Sequence, residues 1–107
     1  MLYTLNLFDV IPEKARLYRR YSIEAGKIIF GVNGRVVCSG WHPRTLRGEE
    51  IRTHLIVVEF PDEQALDFFL NDPAHHAVHE MRENSTTNYI WKIFEPWDLD
   101  AWVAFRS

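Results

Sequence analysis

His75, His79 and Arg82 recur at i, i+4 and i+7 in a segment whose Ala74, Ala77, Val78 and Met81 form an apolar stripe, so two imidazoles and a guanidinium border one buried helix face. An imidazole moves a proton near neutral pH, and a guanidinium holds a carboxylate or an enolate-like oxygen. His75 is the expected proton-transfer group, with His54 and Arg82 assisting; the plainer alternative for each is a partly solvated helix edge or a hydrogen-bonded strand end. The i, i+4 spacing also suits two imidazoles meeting one metal ion. A third ligand is required, and His42, His54 and Glu59 stand at no telling spacing, so no metal is expected. Tyr18, Tyr21 and Trp41 combine flat apolar area with a polar tip, and with His79 they are the candidate lining for an aromatic ligand. Glu24 and Cys38 read as a boundary residue and an inert buried thiol.

These side chains must be held by a small fold. At 107 residues, 47% hydrophobic and 14% aromatic, the chain suits one domain with a real core. Leu2 to Val10 alternates as a strand, and Pro12 stands where a first helical turn tolerates proline. From Glu13 to about Phe30 a helix gathers Leu17, Tyr18, Tyr21, Ala25, Ile28 and Ile29 on one face. Asn33-Gly34 turns the chain into a second strand, Arg35 to Trp41, and a polar loop follows from His42 to Glu50. Thr53 to Phe60 is the strongest strand and should be central, with His54, Ile56, Val58 and Phe60 on one face and Glu59 on the other. Because Phe60 leads into the next helix, its face should be the covered one, which puts His54 at a pocket wall and Glu59 toward the opposite side. A helix after Pro61-Asp62-Glu63, a second one restarting at Asp72-Pro73, and a strand from Thr86 to Phe94 complete the order.

The order β-α-β-β-α-β describes an α+β fold in which a four-stranded antiparallel sheet carries its helices on one face. The other face is apolar with no helix to cover it, and a second copy of the chain is the expected cover. The tail from Pro96 to Ser107, with Trp97, Trp102 and Phe105, should pack on that partner or over the pocket.

The formal charge of −3 and the scattered basic residues give no footprint for nucleic acid or an anionic membrane. No run approaches the length needed to cross a bilayer, and the opening MLYTLNLFDVIPEK has none of the features of a secretory leader, so the cytoplasm is the expected address. The lone cysteine rules out an internal disulfide. No Gly-rich phosphate loop, Cys/His framework or dinucleotide fingerprint is present, and no organic cofactor is expected.

Tyr18 and Tyr21 in the first helix, "GRVV" at Gly34 to Val37, "VVEFPDEQAL" from Val57 to Leu66, Asp72-Pro73 and Arg82 together resemble the dimeric α/β-barrel (ferredoxin-like) superfamily over residues 3 to 95. The histidine-bearing second helix and Trp-rich tail are also similar to RedY-like proteins of prodiginine and indole-type natural-product pathways. The resemblance implies a homodimer with a pocket in each protomer between sheet and helices. It implies an enzyme of secondary metabolism performing cofactor-independent acid–base cyclisation, isomerisation or rearrangement of an aromatic or pyrrole/indole-derived compound. A cofactor-free monooxygenase and a non-catalytic, chaperone-like binding dimer are the alternatives. Fold alone does not select among them.

Overall fold

In the computed structural model, which describes residues 1–106, strand β1 spans Leu2–Val10, β2 Arg35–Trp41, β3 His54–Phe60 and β4 Thr86–Phe94. Helix α1 spans Ala15–Gly31, α2 Glu63–Asn71, α3 His76–Ser85 and α4 Leu99–Arg106, with single 3-10 turns at Pro12–Lys14 and Pro73–His75. The strands lie in the order β2-β3-β1-β4, every neighbouring pair antiparallel. This is the ferredoxin-like α+β topology, with both central strands flanked on each side.

Local chemistry explains where the elements begin. Asp62 accepts from the Ala65 N–H at 2.8 Å to cap α2, and Asp72 accepts from Ala74 at 2.9 Å to start the turn that leads into α3. Between α1 and β2, Asn33 adopts φ 64°, and Gly34 follows where an added Cβ would stand 2.8 Å from the Glu59 carbonyl oxygen. Only glycine lets the chain pass that close to β3.

Alternation in the strands divides the sheet. Leu2, Val58 and Phe60 join Tyr21, Ala25 and Ile29 of α1 and Ala65, Leu66 and Phe69 of α2 in one buried core. Burying side chains of this size at about 25 cal/mol per Å2 of apolar surface is the main favourable contribution to folding. The opposite face carries Tyr3, Leu5 and Leu7 of β1, paired with Glu59, Val57 and Leu55 of β3, and all six are only half-buried. Glu59 is held there by Arg35 at 3.0 Å.

Two expectations are corrected. Cys38 is exposed rather than buried, because β2 is an edge strand and a register shift between Val36 and Cys38 turns the thiol to the helix-free side opposite Val57. His75 lies not in the helix with His79 and Arg82 but in the 3-10 turn before α3, although both histidines still reach the Phe69 carbonyl. Helix α4 is capped by Asp98, which accepts from Ala101 at 3.0 Å, and Trp97 packs edge-to-face with Trp102, but every residue of the helix is exposed. Ser107, the last residue of the tail expected to pack on a partner or pocket, lies outside the described residues.

Candidate functional site

The helix-covered face of the sheet is not filled. Between α1 and the strands lies a hollow of roughly 60 Å3, partly open to solvent, which is room for a side group of a ligand and not for a whole small molecule. Tyr18, Tyr21, Phe60, Phe69, Tyr89 and Trp91 supply its aromatic walls, and Thr4 and Asn6 stand among them. Thr4 and Asn6 are buried at positions where the alternation of β1 points inward beside Leu2 and Phe8. Their polar groups are paired within the sheet. The Tyr89 hydroxyl donates to Asn6 Oδ1 at 2.6 Å, and Asn6 Nδ2 donates to the Ile56 carbonyl at 3.2 Å and to Thr4 Oγ1 at 3.3 Å. Trp91 Nε1 is buried and meets no acceptor among the described residues. Burial raises the phenol pKa of Tyr18 and Tyr89, and that of Tyr21 against the opposing pull of the Arg82 guanidinium, so these hydroxyls stay neutral.

A second hollow, at the open end of α1, shares Tyr18, Ser22 and Ile56 with the first and adds His54, Trp41, Ser39 and Phe8. The ring of Phe8 stacks on His54 at 5.5 Å and on Tyr89 at 4.9 Å, and so stands between the two spaces. Trp41 forms the outer lip and is largely exposed.

His54 is tied from behind. Its Nδ1 lies 2.7 Å from Thr53 Oγ1, which lies 3.0 Å from Asp9 Oδ1; the same carboxylate oxygen accepts the Thr53 N–H at 2.8 Å. Asn88 Nδ2 donates to Asp9 Oδ2 at 2.9 Å. Asn88 adopts φ 54° beside the register shift that separates Leu7 from Asp9 in the β1–β4 ladder, an irregularity that turns its amide toward Asp9. The Asn88 hydrogen bond, helped by Thr53 and the charge of Arg52 against the cost of burial, holds the Asp9 carboxyl below its ordinary range. Burial pulls the His54 pKa below that of a free imidazole, partly opposed by Asp9.

The other sequence candidates gather at the far side. His79 Nε2 donates to the Phe69 carbonyl at 2.6 Å, and Arg82 Nη1 donates to His79 Nδ1 at 2.6 Å. The guanidinium lies 4.7 Å above the Trp91 ring and 5.7 Å from that of Tyr89, a stacking geometry favourable to a cation. Burial, with the charge of Arg82, lowers the His79 pKa. His75 is buried, and its Nδ1 donates to the Phe68 and Phe69 carbonyls at 3.0 and 3.2 Å, closing the last turn of α2. It lines neither hollow. The i, i+4 histidines thus converge on the Phe69 carbonyl, and among the described residues no three His, Cys, Asp or Glu side chains are grouped to hold a metal. Glu24 forms an exposed pair with Lys27 at 3.3 Å.

The structure therefore brings Tyr18, Tyr21, Trp41 and His54 around two adjoining hollows, puts Arg82 and His79 behind the Trp91 wall, and leaves His75 outside both. Sequence reasoning missed Asn6, Asp9, Thr53, Tyr89 and Trp91. Asn6 and Thr4 carried a signal, as polar residues on the inward alternation of an otherwise apolar strand; Asp9 and Thr53, which are 44 positions apart, carried none.

Residues 3–94 match the family model described as Domain of unknown function (DUF1330), and the chain belongs to that family. No curated protein matches the chain. Its fold is similar to that of a protein of unknown function from Rhodopseudomonas palustris, with 21% identity and a TM-score of 0.79 over 91% of this chain and 82% of the other. It is also similar to SnoaB, a cofactor-independent oxygenase from Streptomyces nogalater, with 14% identity and a TM-score of 0.62 over 91% and 93% of the two chains. A dimeric protein of unknown function and ferredoxin-like fold from Bacteroides fragilis aligns at 14% identity and a TM-score of 0.57 over 89% and 95%. No helix among the described residues is long and apolar enough to cross a membrane.

Proposed function

We propose that this member of the DUF1330 family is a small-molecule enzyme that binds a flat aromatic compound beside α1, in the space of roughly 320 Å3 in front of His54, and moves a proton on it without an organic cofactor. The observation that carries this reading is the space in front of His54, lined by Phe8, Tyr18 and Trp41, which adjoins the aromatic hollow beneath α1 across Tyr18, Ser22 and Ile56. An imidazole kept neutral by burial is a competent base near pH 7. His54 takes the proton, Tyr18, Tyr21 and Trp41 hold the ring system, and Arg82, positioned by His79, supports the Trp91 wall. Proton transfer passes from His75, the first choice of the sequence, to His54, since His75 lines neither hollow and its Nδ1–H closes the end of α2. The reactions within reach are cyclisation, isomerisation or rearrangement of an aromatic or pyrrole/indole-derived compound in secondary metabolism. The RedY-like resemblance favours the indole class, and it rests on the histidine-bearing helix and the tail alone.

A cofactor-free oxygenase is the second reading, favoured by the fold shared with SnoaB. Deprotonating a phenol or enol is the first step of either chemistry, and consumption of oxygen separates them. The test is deuterium exchange from D2O into 2-tetralone, an enolisable aromatic ketone, followed by mass spectrometry. Exchange above the buffer rate that disappears in His54→Gln supports the enzyme; tight binding with exchange at the buffer rate supports the non-catalytic holding dimer instead.

The working unit in this proposal is a homodimer joined through the helix-free face, where Leu5, Leu7, Leu55 and Val57 offer contiguous apolar surface. The exposed Trp97, Trp102 and Phe105 of the tail pack against the second copy or close the pocket. Leu5→Asp sets a charge in that face and converts the dimer to monomer in light scattering; a monomeric mass in the wild type removes the dimer, and a dimeric mass in the variant removes this face as its seam.

A further inference from the structure

The hydrogen bonds behind His54 fix where its protons are. Thr53 Oγ1 has one proton and three neighbours in reach, His54 Nδ1 at 2.7 Å, Asp9 Oδ1 at 3.0 Å and, at the longest distance, the Phe8 carbonyl at 3.5 Å, which like the carboxylate can only accept. An ionised carboxylate only accepts. Asp9 is held in that state by Asn88 on its other oxygen and by the Thr53 N–H, with the Arg52 charge nearby. The Thr53 proton therefore goes to Asp9, and the hydroxyl can serve His54 only as an acceptor. Nδ1 must then carry the imidazole proton, and the lone pair of the neutral ring is left on Nε2. No hydrogen bond to Nε2 is formed among the described residues, and His54 lines the hollow with Tyr18, Ser22 and Trp41.

We infer that Asp9 and Thr53 are positioning residues that lock His54 in its Nδ1–H tautomer, so that Nε2 meets the ligand as a proton acceptor. The inference deepens the proposed acid–base function and rests on it for the ligand: a compound presenting an acidic C–H or O–H toward Nε2. When Nε2 accepts that proton, the imidazolium formed keeps its Nδ1–H on Thr53, which relays the hydrogen bond to the Asp9 carboxylate. Each group keeps its own proton except His54, which gains the one the ligand loses. The arrangement differs from a direct carboxylate–histidine pair in that a hydroxyl stands between them. That hydroxyl is required to be an acceptor on one side only because it is a donor on the other.

The locked state is readable without any substrate. In the protein labelled with 15N in its histidines, the His54 signals, identified by their loss in His54→Gln, should show a protonated Nδ1 and a bare Nε2 at pH 7.5. Thr53→Val, which keeps the shape and removes the acceptor, should shift His54 toward the Nε2–H form, and Thr53→Ser should restore the original pattern. Exchange of 2-tetralone should fall about tenfold or more in Thr53→Val and return in Thr53→Ser, within the range that positioned acid–base groups supply. A wild-type His54 carrying its proton on Nε2 overturns the inference, whether or not Thr53→Val folds. So does a Thr53→Val protein with unchanged tautomer. If the tautomer behaves as stated and 2-tetralone is not exchanged even by the wild type, the lock stands and the proposed activity is what fails.

Discussion

His54 and His79 are both imidazoles whose pKa burial lowers, and both lie in a chain of hydrogen bonds running to the backbone or a carboxylate. They differ in what the chain leaves over. At His79 the Phe69 carbonyl takes the Nε2 proton and Arg82 takes the Nδ1 lone pair, so neither nitrogen has capacity for a ligand. At His54 a single nitrogen is engaged, and the other borders a hollow. The same residue type with the same direction of shift is therefore a structural tie in one place and a candidate base in the other. The distinction lies in the count of donors and acceptors around each ring, not in its titration.

The comparison can be broken most directly by removing each imidazole. His54→Gln should lower 2-tetralone exchange by about 10²–10⁴-fold, the usual worth of a positioned base, with little change in stability. Equal activity in wild type and variant would put His54 on the same footing as His79. His79→Leu should do the opposite. It leaves Arg82 Nη1 without its acceptor and takes one donor from the Phe69 carbonyl, which should cost about 1–3 kcal/mol in a urea titration while exchange changes only a few-fold.

Acid offers a weaker test that both rings should fail together. Each has a folded pKa below the free value of 6.5, so the unfolded chain binds protons first as pH falls and stability drops with it. Full stability is expected above about pH 6.5, with a first decline as pH falls from there to the lowered histidine values and a second below 3.8 as Asp9 loses its charge. Thermal melts between pH 8 and pH 3 show this. The exchange rate should keep its plateau below pH 6.5, since His54 stays neutral there, and fall only on its own lowered limb. A rate midpoint at or above 6.5 would mean that burial does not govern His54.

The fold was legible because its causes are local. Alternation in β1 and β3, the caps Asp62 and Asp72, and Asn33-Gly34 act within a few residues of themselves, and the order of elements follows from them. The inward face of β3 was readable for the same reason, since Phe60 must enter the covered core before α2, and period-two alternation then carries His54 to that side. Helix periodicity was less secure in the segment from Pro73. Asp72 and Pro73 spend the first residues on a 3-10 turn, so His75 stands before α3 and not in it, with its Nδ1 closing the end of α2.

The sequence by itself determined the α+β order, the covered and open faces of the sheet, and the aromatic character of whatever lines the space beneath α1. Only the tertiary structure decided which histidine borders a hollow with a nitrogen to spare. Asp9, Thr53 and Asn88 come from three separate strands or strand ends and meet through sheet register and a bulge, and His75 and His79 are claimed by carbonyls of a helix they do not belong to. Hydrogen-bond capacity is settled by neighbours in space, and a linear pattern of residue types does not contain those neighbours.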